Sequence, residues 1–119
     1  MKKVLFTAWN VINPDRLHEF YGVVHENKFG HHSTVVYGEQ KFDLREAQLT
    51  SLVVIGRLTT EKVDVLLVEN DESNNEHPHI TLSTAKGVKP FESNREIENN
   101  ISKVKFIEDS VDVIFRNNY

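Results

Sequence analysis

Apolar and polar residues alternate with a period of two along much of this 119-residue chain, and that period is typical of β-strands. The segments that show it, or that form short β-branched runs, are residues 2–9, 31–38, 51–58, 63–69, 77–84, 103–108 and 111–115. The third and fourth segments flank the polar residues 59–62, which predicts a hairpin. The last two predict another hairpin that turns at Asp109 and Ser110.

A helical period appears over residues 13–27. Asn13 can cap this helix, and Pro14 suits its first position. One apolar stripe follows at the spacing i, i+3, i+4 and i+7, formed by Leu17, Phe20, Tyr21 and Val24. Capping-box patterns predict two shorter helices, one over residues 43–49 and one that begins near Ser93.

The order of these elements, β-α-β-(α)-β-β-β-α-β-β, predicts an α+β fold with helices on one side of a mostly antiparallel sheet. Hydrophobic residues make up 39% of the chain and charged residues 27%, an ordinary mixture for a globular protein. No low-complexity tract or linker divides the chain, so we expect residues 1–119 to form a single domain.

Charge and composition narrow the classes of function. The formal net charge of −4 argues against nonspecific binding of duplex DNA, which needs an extended basic surface, but it allows a small pocket for one phosphate. The sequence has no cysteine, which excludes disulfides, thiolate zinc sites and thiol nucleophiles. No signal-peptide core and no apolar run of membrane-spanning length is found. We therefore expect a cytoplasmic protein that does not enter membranes.

Two of the predicted strands carry the same triplet, His-x-Thr. His32 and Thr34 form the first, in "HHSTVV", and His79 and Thr81 form the second, in "HPHITL". Because side chains alternate along a strand, the histidine and threonine of each triplet project from the same face. If the two strands are neighbours or pseudo-symmetric partners, all four side chains can meet in one groove.

The four side chains suit phosphoryl chemistry. Histidine is the natural general acid or base near neutral pH, and a threonine hydroxyl can donate a hydrogen bond to a phosphate oxygen. Two histidines on opposite sides of a phosphorus atom supply what in-line displacement requires, since one accepts a proton from the attacking oxygen and the other donates one to the leaving oxygen.

Two other interpretations stay open at this point. A single His-x-Thr triplet is common on surface strands, so the two triplets can be unrelated. A metal site is the second alternative, because His31, His32, His77 and His79 are all able to bind zinc. Adjacent His31 and His32 point to opposite faces of a strand, however, and the threonines would have no role in a metal site. The pattern favours phosphate chemistry.

The segments "HHSTVVYG" and "HPHITLST" resemble the two motifs of the two-histidine (2H) phosphoesterase superfamily. That family includes RNA cyclic phosphodiesterases, phosphodiesterase domains of RNA-repair ligases, and phage enzymes that destroy the cyclic oligonucleotide signals of CBASS defence. "GVKPFESN" is similar to a segment of the RNA-ligase and phage branches. The chain departs from the family in being shorter than a typical member and in carrying Gly30 and His31 before its first motif.

The resemblance implies a compact, bilobal, pseudo-symmetric α+β fold. It implies that His32 and His79 are the acid/base pair, that Thr34 and Thr81 hold the phosphate, and that neither a metal nor another cofactor takes part. The expected function is a metal-independent phosphodiesterase that degrades cyclic oligonucleotide second messengers, acting in the host cytoplasm if the protein is viral. An RNA-processing 2′,3′-cyclic phosphodiesterase is the first alternative. A module that sequesters nucleotides without turnover is the second.

Three further residues are predicted to contact the nucleotide. Trp9 can stack on a base or pack in the core, Lys89 can neutralise a second phosphate, and Phe91 can cover a base. Tyr37 lies at odd spacing from Thr34, which favours packing over substrate contact. Among the other histidines, we expect His18 and His25 on the surface, with His31 and His77 flanking the site without chemistry.

Overall fold

The protein is built from antiparallel strands with two short α-helices, as described over residues 3–119 by a computed structural model. In chain order the elements are β1 (Val4–Val11), α1 (Pro14–Tyr21), β2 (Asn27–Lys28), β3 (His32–Gln40), β4 (Leu49–Thr59), β5 (Val63–Val68), β6 (His79–Thr84), α2 (Ser93–Asn99) and β7 (Lys105–Asn118). Single 3-10 turns at Pro90–Glu92 and Ile101–Lys103 flank α2.

All the strands belong to one sheet in the order β2-β6-β5-β4-β7-β1-β3. Every neighbouring pair in it is antiparallel. The predicted α+β class with a mostly antiparallel sheet is therefore confirmed. Within residues 3–119, no helix has the length and apolar character needed to cross a membrane.

The sheet curls around a large apolar cluster on its inner face. Phe115 of β7 is fully buried at its centre, and its ring meets the Trp9 indole edge-on with a centroid distance of 5.0 Å. Inward-facing side chains of β1, β3, β4, β5, β6 and β7 complete the cluster: Val11, Val35, Leu52, Val54, Leu66, Val68, Ile80, Leu82, Val111 and Val113. Leu17 of α1 packs against this inner cluster as well.

A second, smaller cluster lies on the outer face. Val63, Val65 and Leu67 of β5 alternate with residues of the inner cluster, and they pack with Leu58 and with Ile97 of α2. Because α1 packs on the inner cluster and α2 on the outer one, the two helices lie on opposite faces of the sheet. The prediction that helices occupy one side was wrong, since it assumed a flat sheet with one buried face.

Curling brings the two ends of the sheet together. β3 and β6 stand near opposite ends of the strand order, yet hydrogen bonds join them through the loop after β5. The amide N–H of Asn74 donates to the Val35 carbonyl at 2.7 Å, and the buried Asn70 Nδ2 donates to Ser33 Oγ at 3.1 Å. The Gly30 N–H also donates to the Thr81 carbonyl at 2.7 Å. We call this junction the seam.

Three predicted elements differ from the structure. Helix α1 ends at Tyr21, where Gly22 has a φ of +81°, so Val24 of the predicted stripe lies beyond the helix. Phe20, although inside the helix, is exposed as well. Instead of a hairpin at Asp109 and Ser110, β7 runs unbroken between β4 and β1. The predicted helical turns over residues 43–49 form only a hydrogen-bonded turn before β4.

We predict that Asn70→Ala lowers the free energy of unfolding by about 1–3 kcal/mol, because it removes the amide that bonds Ser33 across the seam and leaves that buried hydroxyl without its partner. Urea unfolding measures the difference. Asn99→Ala, at an exposed position of α2, is the control and should change stability by no more than about 0.5 kcal/mol. Equal stability of both variants would contradict a structural role for the seam.

Candidate active site in the groove along the seam

A groove of about 730 Å³ runs along the outer side of the seam. Both His-x-Thr triplets line it, as predicted: His32 and Thr34 from β3, and His79 and Thr81 from β6. The remaining lining residues are Phe6, Phe29, His31, Tyr37, Asn75, Pro90, Phe91 and Asn94. The curled sheet therefore brings together two triplets that are far apart in the chain.

The first triplet takes its orientation from the pairing of β3 with β1. His32 lies opposite Asn10, and Thr34 lies opposite Ala8, so both side chains point to the outer face. Ser33 between them is buried and turns inward. The Phe6 ring on β1 lies 5.1 Å from the His32 ring, centroid to centroid, and shields it on one side.

The second triplet is held more tightly. His79 Nδ1 lies 2.8 Å from the carbonyl oxygen of His77. A carbonyl oxygen can only accept, so Nδ1 carries the hydrogen, and in the neutral ring Nε2 is left as the basic nitrogen. Thr81 Oγ1 lies 2.8 Å from the hydroxyl of Ser93, the first residue of α2. Thr81 is thus positioned by a second element as well as by its strand.

The groove disfavours charged imidazoles. The pKa of His32 is lowered from 6.5 to about 4, mainly by burial and in smaller part by the neighbouring His31 and His79. Burial also lowers the pKa of His79; the hydrogen bond to the His77 carbonyl opposes this shift, and the His77 imidazole adds to it. His32 and His79 are therefore neutral at pH 7, until an anion enters and stabilises a protonated ring.

Two of the three predicted nucleotide-contacting residues lie elsewhere. Trp9 is only 6% exposed and packs on Phe115 inside the sheet, so it cannot stack on a bound base. The reason is strand parity, since Trp9 lies opposite the inward-facing Ser33. Lys89 is exposed and lies outside the groove lining. Phe91 does line the groove and is 70% exposed, in agreement with its predicted place.

Tyr37 was predicted to pack, but it is 77% exposed and lines the groove. Between Thr34 and Val36 the β1–β3 register shifts, because β3 has one more residue here than β1. This bulge reverses the alternation, so Tyr37 lies opposite Phe6 and shares the outer face with Thr34. The Tyr37 and Phe6 rings stack at 6.1 Å. A bulge leaves no clear signal in one sequence.

His18 was predicted on the surface, yet it is buried beneath the groove. Its Nε2 lies 2.5 Å from the Phe29 carbonyl oxygen, and its ring packs close to Gly30, which has a φ of +83°. The Gly30 N–H in turn bonds the Thr81 carbonyl. His18 therefore supports the segment that leads into His32. His25 is half-buried as well, with Nε2 2.8 Å from the Thr60 carbonyl.

The sequence did not predict a place for Ser93 beside the site, because a serine at the start of a helix is equally typical of a helix cap. The N-cap of α2 is Glu92, and within residues 3–119 the Ser93 hydroxyl contacts Thr81 Oγ1. Among residues 3–119, no three His, Asp or Glu side chains are grouped as ligands of a metal ion. No known protein-family model matches this chain, and no curated protein matches its sequence.

We predict that an NMR titration of the imidazole Cε1–H signals gives a midpoint of about 4 for His32 and one below 6.5 for His79. His32→Gln and His79→Gln assign the two signals. Since burial is the main cause at His32, His79→Gln should raise its midpoint only slightly. A midpoint for His32 near 6.5 would show that the groove is more hydrated than the structure indicates.

Proposed function

We propose that this protein is a metal-independent phosphodiesterase of the two-histidine type, and that it cleaves cyclic oligonucleotide second messengers. The single observation that carries the proposal is that both His-x-Thr triplets line one groove. The alternation of side chains along a single strand does not require the two triplets to meet, because β3 and β6 lie near opposite ends of the strand order. Two unrelated surface histidines would have no reason to share a desolvated cleft.

The resemblance to 2H phosphoesterases, with its bilobal and pseudo-symmetric fold, is part of the same proposal. It is supported by the equivalent positions of the triplets. Each histidine is the first residue of its strand, and each triplet lies on the outer face of the sheet. Degradation of defence signals by a viral protein, in the host cytoplasm, is the biological setting that the resemblance suggests.

With a 3′–5′ linkage, the ribose 2′-OH attacks the phosphorus. One histidine accepts the proton of that hydroxyl while the other donates a proton to the departing 5′ oxygen. The products are a 2′,3′-cyclic phosphate and a free 5′-OH. Thr34 and Thr81 donate hydrogen bonds to the non-bridging oxygens, whose negative charge they help to stabilise in the transition state.

Opening of a 2′,3′-cyclic phosphate uses the same groups in exchanged roles. The histidine that is neutral after the first step accepts a proton from the attacking water. The histidine that is protonated after the first step donates its proton to the departing ribose oxygen, so both rings return to their starting states. Because His79 and His32 are both neutral in the free protein, the proton needed for the first step must be taken up with the anionic substrate. Substrate binding and protonation are therefore coupled.

The walls of the groove favour a small substrate with bases on each side of the phosphate. Phe6 and Tyr37 supply aromatic rings from the β1–β3 side, and Phe91 supplies one from the segment before α2. Aromatic faces stack on any nucleobase. Over residues 3–119 the lining contains no lysine or arginine, which disfavours long polyanionic RNA and terminal polyphosphates.

We predict that the protein, in the presence of EDTA, converts cyclic di- or trinucleotides to linear products, measured by chromatography with mass detection. His32→Ala and His79→Ala should each lower kcat/KM by about 10²–10⁴-fold, because each removes a proton-transfer group. His25→Ala, which lies outside the groove, is the control.

Other outcomes of this assay point elsewhere. Turnover confined to 2′,3′-cyclic ends would favour the RNA-processing phosphodiesterase, and tight binding without turnover would favour sequestration. Loss of activity in EDTA would overturn the metal-free mechanism. If either alanine variant kept the wild-type rate, the paired-histidine assignment would be wrong.

We predict a bell-shaped dependence of kcat/KM on pH with its maximum below pH 6.5. This profile reports the free protein, in which both histidines have lowered pKa values. As pH falls through the higher of the two histidine pKa values, the proton-donating ring becomes charged and the rate rises. Once the second ring is protonated too, no base remains and the rate falls. Circular dichroism at each pH verifies folding. A maximum above pH 7.5 would contradict the desolvated site.

A further inference from the structure

The two half-sites differ in how their threonines are held. Thr81 and Ser93 form a hydroxyl pair at 2.8 Å, whereas the part of the chain that the structure describes offers no hydrogen-bond partner to the Thr34 hydroxyl. Ser93 has no solvent exposure, so it cannot touch a substrate itself. Thr81 is 9% exposed and lines the groove. Ser93 therefore stands directly behind a group that faces the ligand.

The hydrogens of this pair have one favourable arrangement. Each hydroxyl carries a single hydrogen, and no acceptor other than Thr81 Oγ1 is recorded for Ser93 among residues 3–119. If Thr81 donated to Ser93, the Ser93 hydrogen would be buried without an acceptor, which is costly away from water. If Ser93 donates to Thr81, the Thr81 hydrogen is free to point into the groove, where a ligand oxygen or water can accept it.

From this geometry we infer that Ser93 is a positioning residue that directs the Thr81 hydroxyl hydrogen at a phosphoryl oxygen in the groove. The inference rests on the proposed function, and it specifies what orients the hydrogen bond from the Thr81 hydroxyl to the phosphate. A hydroxyl that accepts one hydrogen bond becomes a better donor in the next, so the chain Ser93 to Thr81 to phosphate is stronger than Thr81 alone. Ile97, fully buried against β5, fixes the helix that carries Ser93.

The test is a double-mutant cycle on kcat/KM with Ser93→Ala and Thr81→Val, using the cyclic dinucleotide that the wild-type protein cleaves. Ser93→Ala should lower kcat/KM roughly tenfold, because Thr81 is no longer oriented. In the Thr81→Val background the same change should have almost no effect, since no hydroxyl remains to direct. Ser83→Ala is the control, because Ser83 is as fully buried as Ser93 and lies on β6 with Thr81, but outside the groove lining.

A titration with inorganic phosphate, followed by amide chemical shifts, gives a readout that does not need turnover. Ser93→Ala should weaken phosphate binding by a similar factor, and Ser83→Ala should not. Ser93→Cys, which keeps the side chain's size and only a weak donor, replaces Ser93→Ala if that variant unfolds.

The outcomes separate the two proposals. Wild-type rates and phosphate affinity in Ser93→Ala, or equal losses in both backgrounds of the cycle, would overturn the role of Ser93 while leaving the phosphodiesterase intact. A wild-type protein that binds phosphate but cleaves no phosphodiester, with binding weakened by Ser93→Ala, would support Ser93 and overturn the proposed function.

Discussion

The structure depends on one constraint, the burial of a single inner face by a sheet that must curl to achieve it. Phe115 and Trp9 fill the centre, and β-branched and leucine side chains from neighbouring strands close around them. Each such side chain contributes about 1.5–3 kcal/mol when fully buried. A flat sheet with this strand order would leave β3 and β6 far apart and would expose the cluster to water. The curl of the sheet buries the cluster and also brings β3 next to β6, which creates the seam.

The chemistry of the groove follows from where the seam lies. Residues that face inward along β3 and β6 enter the core, so those that alternate with them project outward into the cleft. There the packing of Phe6 against His32, and the burial of His79 at the start of β6, remove water from both rings. Loss of hydration keeps the imidazoles neutral, and an anion that enters the groove raises their pKa values strongly. The low dielectric constant of this partly buried groove also strengthens hydrogen bonds that the threonines donate to a ligand.

Support for the second half-site comes from elements that do not belong to its strand. The His77 carbonyl selects one tautomer of His79, and α2 supplies Ser93 behind Thr81. These contacts place donors and acceptors before a ligand arrives. The first half-site relies on strand pairing and on the aromatic pair of Phe6 and Tyr37. The β6 wall of the groove is therefore held by contacts from outside its strand, whereas the β3 wall rests on strand pairing, the half-buried Phe6 and the exposed Tyr37.

The sequence by itself determined the fold class, the β4–β5 hairpin and the outward parity of each His-x-Thr triplet, because all of these depend on spacing along a single strand or turn. It did not determine the place of Tyr37, which a bulge moved to the other face, or that of Trp9, which strand pairing sent into the core. The predicted hairpin at Asp109 does not form because β4 pairs with β7 on both sides of that residue, from Lys105 to Ile114. The meeting of the triplets, the Ser93 contact and the burial of His18 were decided only by the tertiary structure, since each joins residues distant in the chain through the curl that hydrophobic burial imposes.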